Sequence, residues 1–153
     1  MKKKKRVGIT GGIGAGKTLV CRIINAMGYP VFYSDSESKK ILNSDPVVKA
    51  AILELFGAQA YQNNQLNRSF IADQVFSNPE RLARLNAIAH PAVRNAFEKW
   101  VSEQDSPLIF NEAAILFETG IYKNYDATVL VTAPIELRIK RVIERDNTNE
   151  ASV

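Results

Sequence analysis

Gly11, Gly16, Lys17 and Thr18 stand at the spacing G-x-x-x-x-G-K-[ST], and the chemistry of that spacing is polyphosphate binding. A loop that wraps phosphates must turn its N–H groups inward. Side chains at several positions would block that approach, so Gly11, Gly12, Gly14 and Gly16 clear the way. The phosphates then rest at the start of a helix, where unpaired N–H groups and the positive end of the dipole favour an anion. Lys17 reaches the β- and γ-phosphates, and the Thr18 hydroxyl ligates Mg²⁺. The candidate nucleotide-binding stretch is Gly11, Gly12, Ile13, Gly14, Ala15, Gly16, Lys17, Thr18 and Leu19.

The flanks agree with the motif. Val7 to Ile9 is a short apolar run that enters the loop as a strand, and Lys17 to Met27 leaves it with helical periodicity. A dinucleotide site needs Gly-x-Gly-x-x-Gly. From Gly12 the third glycine would be Lys17, and from Gly14 it would be Leu19, so that pattern fails. The guanine-side companions D-x-x-G and N-K-x-D do not occur either, which argues against a GTPase switch.

The elements that must position this loop fit a chain of 153 residues, enough for one domain with a real core and a small inserted subdomain. No apolar run approaches a membrane span of roughly 20 residues, and the Gly-rich loop interrupts anything resembling a signal peptide. The single cysteine, Cys21, excludes an internal disulfide and suits a reducing, cytoplasmic setting. Net charge is +4, with Lys2 to Arg6 as a basic block; no aromatic residues interleave it, so it reads as a solvated tail and not as a nucleic-acid contact.

In chain order, Pro30 to Tyr33 reads as a second strand running into Ser34-Asp35-Ser36. In open α/β sheets ligands bind at the carboxyl edge of the strands. Asp35 there is either a base for an attacking hydroxyl, with a hand in ordering Mg²⁺, or a helix N-cap. Helical text follows at Lys39 to Leu42, Val47 to Phe56, Phe70 to Phe76, Pro79 to Ala89 and Ala92 to Val101. Breaks fall at Asp45-Pro46, Gly57 to Asn67, Asn78-Pro79 and His90-Pro91, with Pro79 and Pro91 placed as first-turn prolines. This block is too long for a crossover helix and reads as a helical insert over 36–106 that shapes an acceptor site.

Strand signals return at Pro107 to Glu112 and at Ala127 to Thr132, both read as buried strands, followed by a helix over Ile135 to Glu144. Asn111 stands where an Asp would suit a second metal-organising acid. Arg138, Lys140, Arg141 and Arg145 load the helix with positive charge. They form either a solvated face with favourable charge at a helix C-terminus or a set of cations closing over transferring phosphates, the second reading favoured for Arg141 and Arg145.

The chain resembles the dephospho-coenzyme A kinase family over nearly its whole length. Gly8 to Thr18 is similar to L-T-G-G-I-G-S-G-K-S, and Val31 to Asp35 to V-I-D-A-D. Leu66-Asn67-Arg68 is similar to L-D-R, Val75-Phe76 with Asn78-Pro79-Glu80 to V-F-x-(N/D)-x-E, and Ile88 to Pro91 to I-x-H-P. Leu116-Phe117-Glu118 is similar to the end of D-x-P-L-L-F-E, and Arg141 with Arg145-Asp146 to R-x-x-x-R-D. Only the first of these is specific alone; the ordered set is. Tyr33, Glu112 and Ala114 depart from the family residues Asp, Asp and Pro.

The resemblance implies an α/β fold: a P-loop NTPase three-layer sandwich with a parallel sheet, its core in 1–35 and 107–153, and the helical insert on the acceptor side. It implies a lid beginning at about 145–153, with the family's last strand and helix absent, and so a sheet edge left unpaired. The implied activity is ATP-dependent phosphorylation of the ribose 3′-hydroxyl of dephospho-coenzyme A, with ATP and Mg²⁺ as cofactors, in a monomer or weak homo-oligomer without nucleic-acid or membrane partners. The alternatives are another small-metabolite kinase or a non-catalytic nucleotide-binding module. In roles, the resemblance puts Asp35 as base, Lys17, Arg141 and Arg145 on the phosphates, and Asp35, Arg68, His90 and Glu118 on the acceptor.

Overall fold

The computed structural model describes residues 4–147 and residue 149. Two compact units emerge, one running to Tyr33 and resuming at Glu103, the other Ser34–Ser102. The elements in chain order begin with β1 (Lys5–Thr10), α1 (Lys17–Ala26) and β2 (Val31–Tyr33). Next come α2 (Ser34–Ser44), α3 (Pro46–Phe56), β3 (Tyr61–Gln62), β4 (Gln65–Leu66), α4 (Arg68–Phe76) and α5 (Pro79–Glu103). The chain then forms β5 (Leu108–Glu112), β6 (Ala127–Leu130) and α6 (Ile135–Asp146).

The first unit is a parallel sheet in the order β2-β5-β1-β6. Parallel neighbours need crossover connections, and α1 supplies one by carrying the chain from β1 past β5 to β2. The register brings Ile9, Glu112 and Tyr33 into one row, so three strands finish together at the edge where the glycine loop begins. Ile9, Ile109, Cys21 and Leu116 are fully sealed from water and form the centre of this unit. Asn111, buried among them, donates from Nδ2 to the Tyr125 hydroxyl at 2.5 Å, which satisfies an amide that would otherwise be costly to bury.

The sequence reading makes Ala127 to Thr132 a buried strand; the structure corrects this, because all four residues of β6 are exposed. An apolar run reports strand propensity but not cover. Here β6 lies at the end of the sheet order, and among the described residues it pairs with β1 alone.

The second unit is mostly helical, with a core of Val48, Ile52, Ala60 and Ile71 against which Leu85, Ile88 and Ala92 pack. Asp45 caps α3 by accepting from the Val47 and Val48 amides at 2.9 and 3.1 Å. The stretch read as a break between Gly57 and Asn67 holds the β3–β4 hairpin, turned by Asn63 and Asn64 at φ 49° and 64°. Two positive φ values in a two-residue loop suit the right-handed twist of the strands, and asparagine tolerates them better than most residues.

A further correction concerns Pro91. It does not begin a helix but lies inside α5, a single helix of 25 residues. Proline removes one N–H bond, here to the carbonyl of Ala87, and costs about 3 kcal/mol in a helix interior. The apolar stripe Leu85, Ile88 and Ala92 continues across it onto one core, and that burial offsets the loss. The helix α6 also runs two residues past the expected Glu144, to Asp146. Of the lid stretch expected at 145–153, residues 148 and 150–153 lie outside the described residues.

Candidate functional site

The loop from Gly11 to Gly16 leaves β1 and hands the chain directly to α1. Gly16 occupies the N-cap position at φ 103°, a left-handed conformation open to glycine at little cost. Having no side chain, it brings no cap; Leu19 N–H turns back onto Gly16 O at 3.1 Å, and the Lys17 and Thr18 amides keep their capacity to bind an anion. Lys17 and Thr18 are the first two residues of that helix, and Leu19 behind them is exposed.

Cationic side chains meet the carbonyl side of the loop. Lys17 Nζ donates to Gly11 O at 2.6 Å. From α6, Arg138 Nε donates to Ile13 O at 2.9 Å, and Arg141 donates to Gly14 O at 3.1 Å and Ala15 O at 3.5 Å. Ala15 N–H closes a turn onto Gly12 O at 3.1 Å. The end of β1 is fixed as well: Val131 N–H donates to Thr10 O at 2.8 Å, and the Thr10 hydroxyl donates to Ala114 O at 3.2 Å.

Arg145, paired with Arg141 in the sequence reading, lies elsewhere on α6 and makes a two-pronged contact with Asp146 at 2.6 and 2.7 Å. That hydrogen bond holds the Asp146 carboxyl below its usual range and raises the Arg145 guanidinium above its own. Glu118 is exposed on the segment between β5 and β6, two residues beyond the sealed Leu116. Cys21 lies in α1, and burial pushes its thiol up to about 11, with the Glu112 carboxylate adding to the rise and Lys17 opposing it. Burial also raises Tyr33, with Cys21 and Glu112 as further causes. Both shifts put Glu112 electrostatically at the carboxyl edge of the sheet, although the sequence reading gave the helper-acid position no settled occupant.

The remaining candidates belong to the helical unit. Asp35 is exposed in the first turn of α2, an N-terminal site that favours a carboxylate; it is not the residue that opens the helix. Arg68 is the first residue of α4, just after the Asn67 cap, which accepts from Phe70 N–H at 3.3 Å. His90 is exposed on α5 beside Pro91. The structure thus brings the loop, Lys17, Arg138 and Arg141 together in one unit, with Asp35, Arg68 and His90 carried on the other. Arg138, which the sequence reading favoured less than Arg141 and Arg145, reaches the loop at Ile13 O.

A family model described as dephospho-CoA kinase matches residues 5–153. A Bacteroides fragilis protein named dephospho-CoA kinase is 39% identical over 145 residues, covering 94% of this chain and 71% of the relative. One from Salinibacter ruber is 43% identical over 151 residues, covering 96% and 76%. A crystal structure from Thermus thermophilus superposes with a TM-score of 0.89 at 34% identity, covering 99% of this chain and 77% of that one. A dephospho-CoA kinase from Campylobacter jejuni, at 24% identity, shares the fold with a TM-score of 0.66 over 97% of this chain and 76% of its own.

Proposed function

The chain belongs to the dephospho-CoA kinase family, whose members are kinases of coenzyme A biosynthesis, and from that premise we propose how its residues divide the reaction. The γ-phosphoryl group of ATP passes to the 3′-hydroxyl of the ribose of dephospho-coenzyme A. What carries this reading is the loop: an uncapped helix start, with Lys17 beside it and the loop carbonyls held by Lys17, Arg138 and Arg141. Phosphoryl transfer asks the protein for position and compensating charge and for little covalent work.

The residues fit Mg²⁺ as a companion of the nucleotide. Mg²⁺ keeps several waters and takes phosphate oxygens, so one protein hydroxyl is enough, and Thr18 on the first turn of α1 supplies it. No group of three or more His, Cys, Asp or Glu among the described residues offers a metal site of another kind. The bound ion would neutralise charge on the phosphates. Lys17 does the same from the protein side, with Arg141 in support and Arg145 joining once freed from Asp146.

Asp35 takes the proton of the acceptor hydroxyl. Its place supports this: β2 ends at Tyr33, in the row shared with Ile9 and Glu112, and Asp35 follows at once in the first turn of α2. Arg68, His90 and Glu118 contact the acceptor in this reading, and 36–106 is its binding region. The cytoplasm as location, and a monomer or weak homo-oligomer as working form, belong to the same proposal. The buried free thiol of Cys21 supports the location, and among the described residues no helix is long and apolar enough to cross a membrane.

The test is incubation with ATP-Mg and a panel of acceptors including dephospho-coenzyme A, with the phosphorylated position read by NMR. Phosphate on the ribose 3′-oxygen is the expected product, and Asp35→Asn is expected to cut turnover by about 10²-fold or more while ATP binding survives. Unchanged turnover in that variant would remove the base assignment. A preferred acceptor of another chemistry would remove the substrate.

A further inference from the structure

Arg138 has a double relation to the glycine loop. Its Nε donates to Ile13 O at 2.9 Å, and its guanidinium occupies the space a side chain at residue 12 would need: a Cβ on Gly12 would lie 2.1 Å from Nη2 and 2.7 Å from Cζ. One step along the loop, a Cβ on Gly14 would lie 2.6 Å from the Arg138 carbonyl oxygen and 3.0 Å from its Cα. At Gly14 the neighbour is backbone and the φ is +72°, so bareness is required there independently of any phosphate; at Gly12 the neighbour is the flexible end of Arg138, which an added Cβ would push aside.

The consequence follows from peptide geometry. The described peptide bonds are trans, and in a planar trans unit the N–H points opposite to the carbonyl it is bonded to. Holding Ile13 O toward α6 therefore aims the Gly14 N–H away from α6. The Gly14 amide is thus aimed through the Ile13 carbonyl by a cation from outside the loop. Arg141, from the same helix, donates to the next carbonyl along, Gly14 O, at 3.1 Å and to Ala15 O at 3.5 Å. Arg138 is the most firmly installed of the two arginines: it is half-buried where Arg141 is exposed, and it is the one seated over Gly12.

We propose that Arg138 is a positioning residue for the phosphate cradle: through Ile13 O it orients the Gly14 amide toward the nucleotide, and Gly12 is glycine in part to admit its guanidinium. This rests on the nucleotide reading of the loop. The experiment is a double-mutant cycle in the full chain with Arg138→Ala, Arg138→Lys, Gly12→Ala and the pair Gly12→Ala with Arg138→Ala. ATP-Mg affinity is measured by calorimetry, together with turnover and melting temperature without nucleotide. Arg138→Ala is expected to weaken ATP-Mg binding about tenfold, with saturating turnover changed by less than about threefold. Arg138→Lys, which keeps one donor for Ile13 O, is expected to recover part of that loss. Gly12→Ala already displaces the guanidinium, so the pair is expected to fall well short of the product of the two single losses, in affinity and in melting temperature alike. An Arg138→Ala affinity within twofold of wild type, or losses that simply multiply, would overturn the proposal while leaving the nucleotide site intact. A wild-type chain that does not bind ATP-Mg would bring down the nucleotide reading and the proposal with it.

Discussion

The two units hold their candidate residues in opposite ways. In the sheet unit, polar contacts between distant parts of the chain do the holding: Arg138 and Arg141 reach back to Ile13, Gly14 and Ala15, and Val131 ties the end of β1. In the helical unit the holding is apolar, with Val48, Ile52, Ala60 and Ile71 at its centre, while Asp35, Arg68 and His90 stand exposed on helices. Phosphate is the same in every nucleotide, so a rigid polar cradle suits it. In the proposed division of labour, a bulky acceptor of mixed polarity is met by side chains displayed on a packed scaffold. The difference teaches that damage to one unit should read out in nucleotide affinity and damage to the other in stability.

That contrast can be broken or sharpened by substitution. The largest effect is expected from Lys17→Ala, which removes both the cation proposed to face the phosphates and its bond to Gly11 O; phosphoryl transfer should fall by about 10²–10³-fold with little change in the unfolding of the chain. Ile52→Ala should do the reverse. Removing a sealed side chain from the helical core is expected to cost about 2–5 kcal/mol in denaturant unfolding, with ATP-Mg affinity of the folded protein within about twofold of wild type. A large affinity loss in Ile52→Ala would abolish the contrast.

Smaller changes refine it. Asp45→Ala deletes the cap of α3 and should cost about 1 kcal/mol, again without touching nucleotide affinity. The last effect is confined to high pH. The Cys21 thiol is pushed up to about 11 from an ordinary 9.0, so the fold favours its neutral form. That contribution is complete below pH 9 and is lost as pH rises from about 9 through 11. Urea melts across that window should show a decline that Cys21→Ala reduces, and native Cys21 should react slowly with thiol reagents at pH 8.

Much of the sheet unit was legible because its signals are local. The phosphate motif, its strand and its helix lie within one stretch of sequence, and α1 begins at Lys17 as expected. The misreadings share a cause, which is that the deciding partner is remote. Pro91 looks like a helix boundary until Leu85, Ile88 and Ala92 are seen to share one core. Ala127 to Leu130 looks buried because propensity does not say which strand ends a sheet. Arg138 looks like one surface cation among several because its partner Ile13 lies far back in the sequence. Asn63 and Asn64 carry a weak turn signal that Gly in either position would have made plain.

The buried amide of Asn111 has a consequence for how this chain ages and diverges. Deamidation there, or an inherited Asn→Asp change, would alter almost nothing in size. The ionised product would accept from the Tyr125 hydroxyl where the amide donates to it, but a charge would sit in the interior of the sheet, where desolvation costs several kcal/mol. Position 111 therefore tolerates a neutral plug far better than an acid. Glu112, one residue on and only half-buried at the end of β5, carries no such penalty.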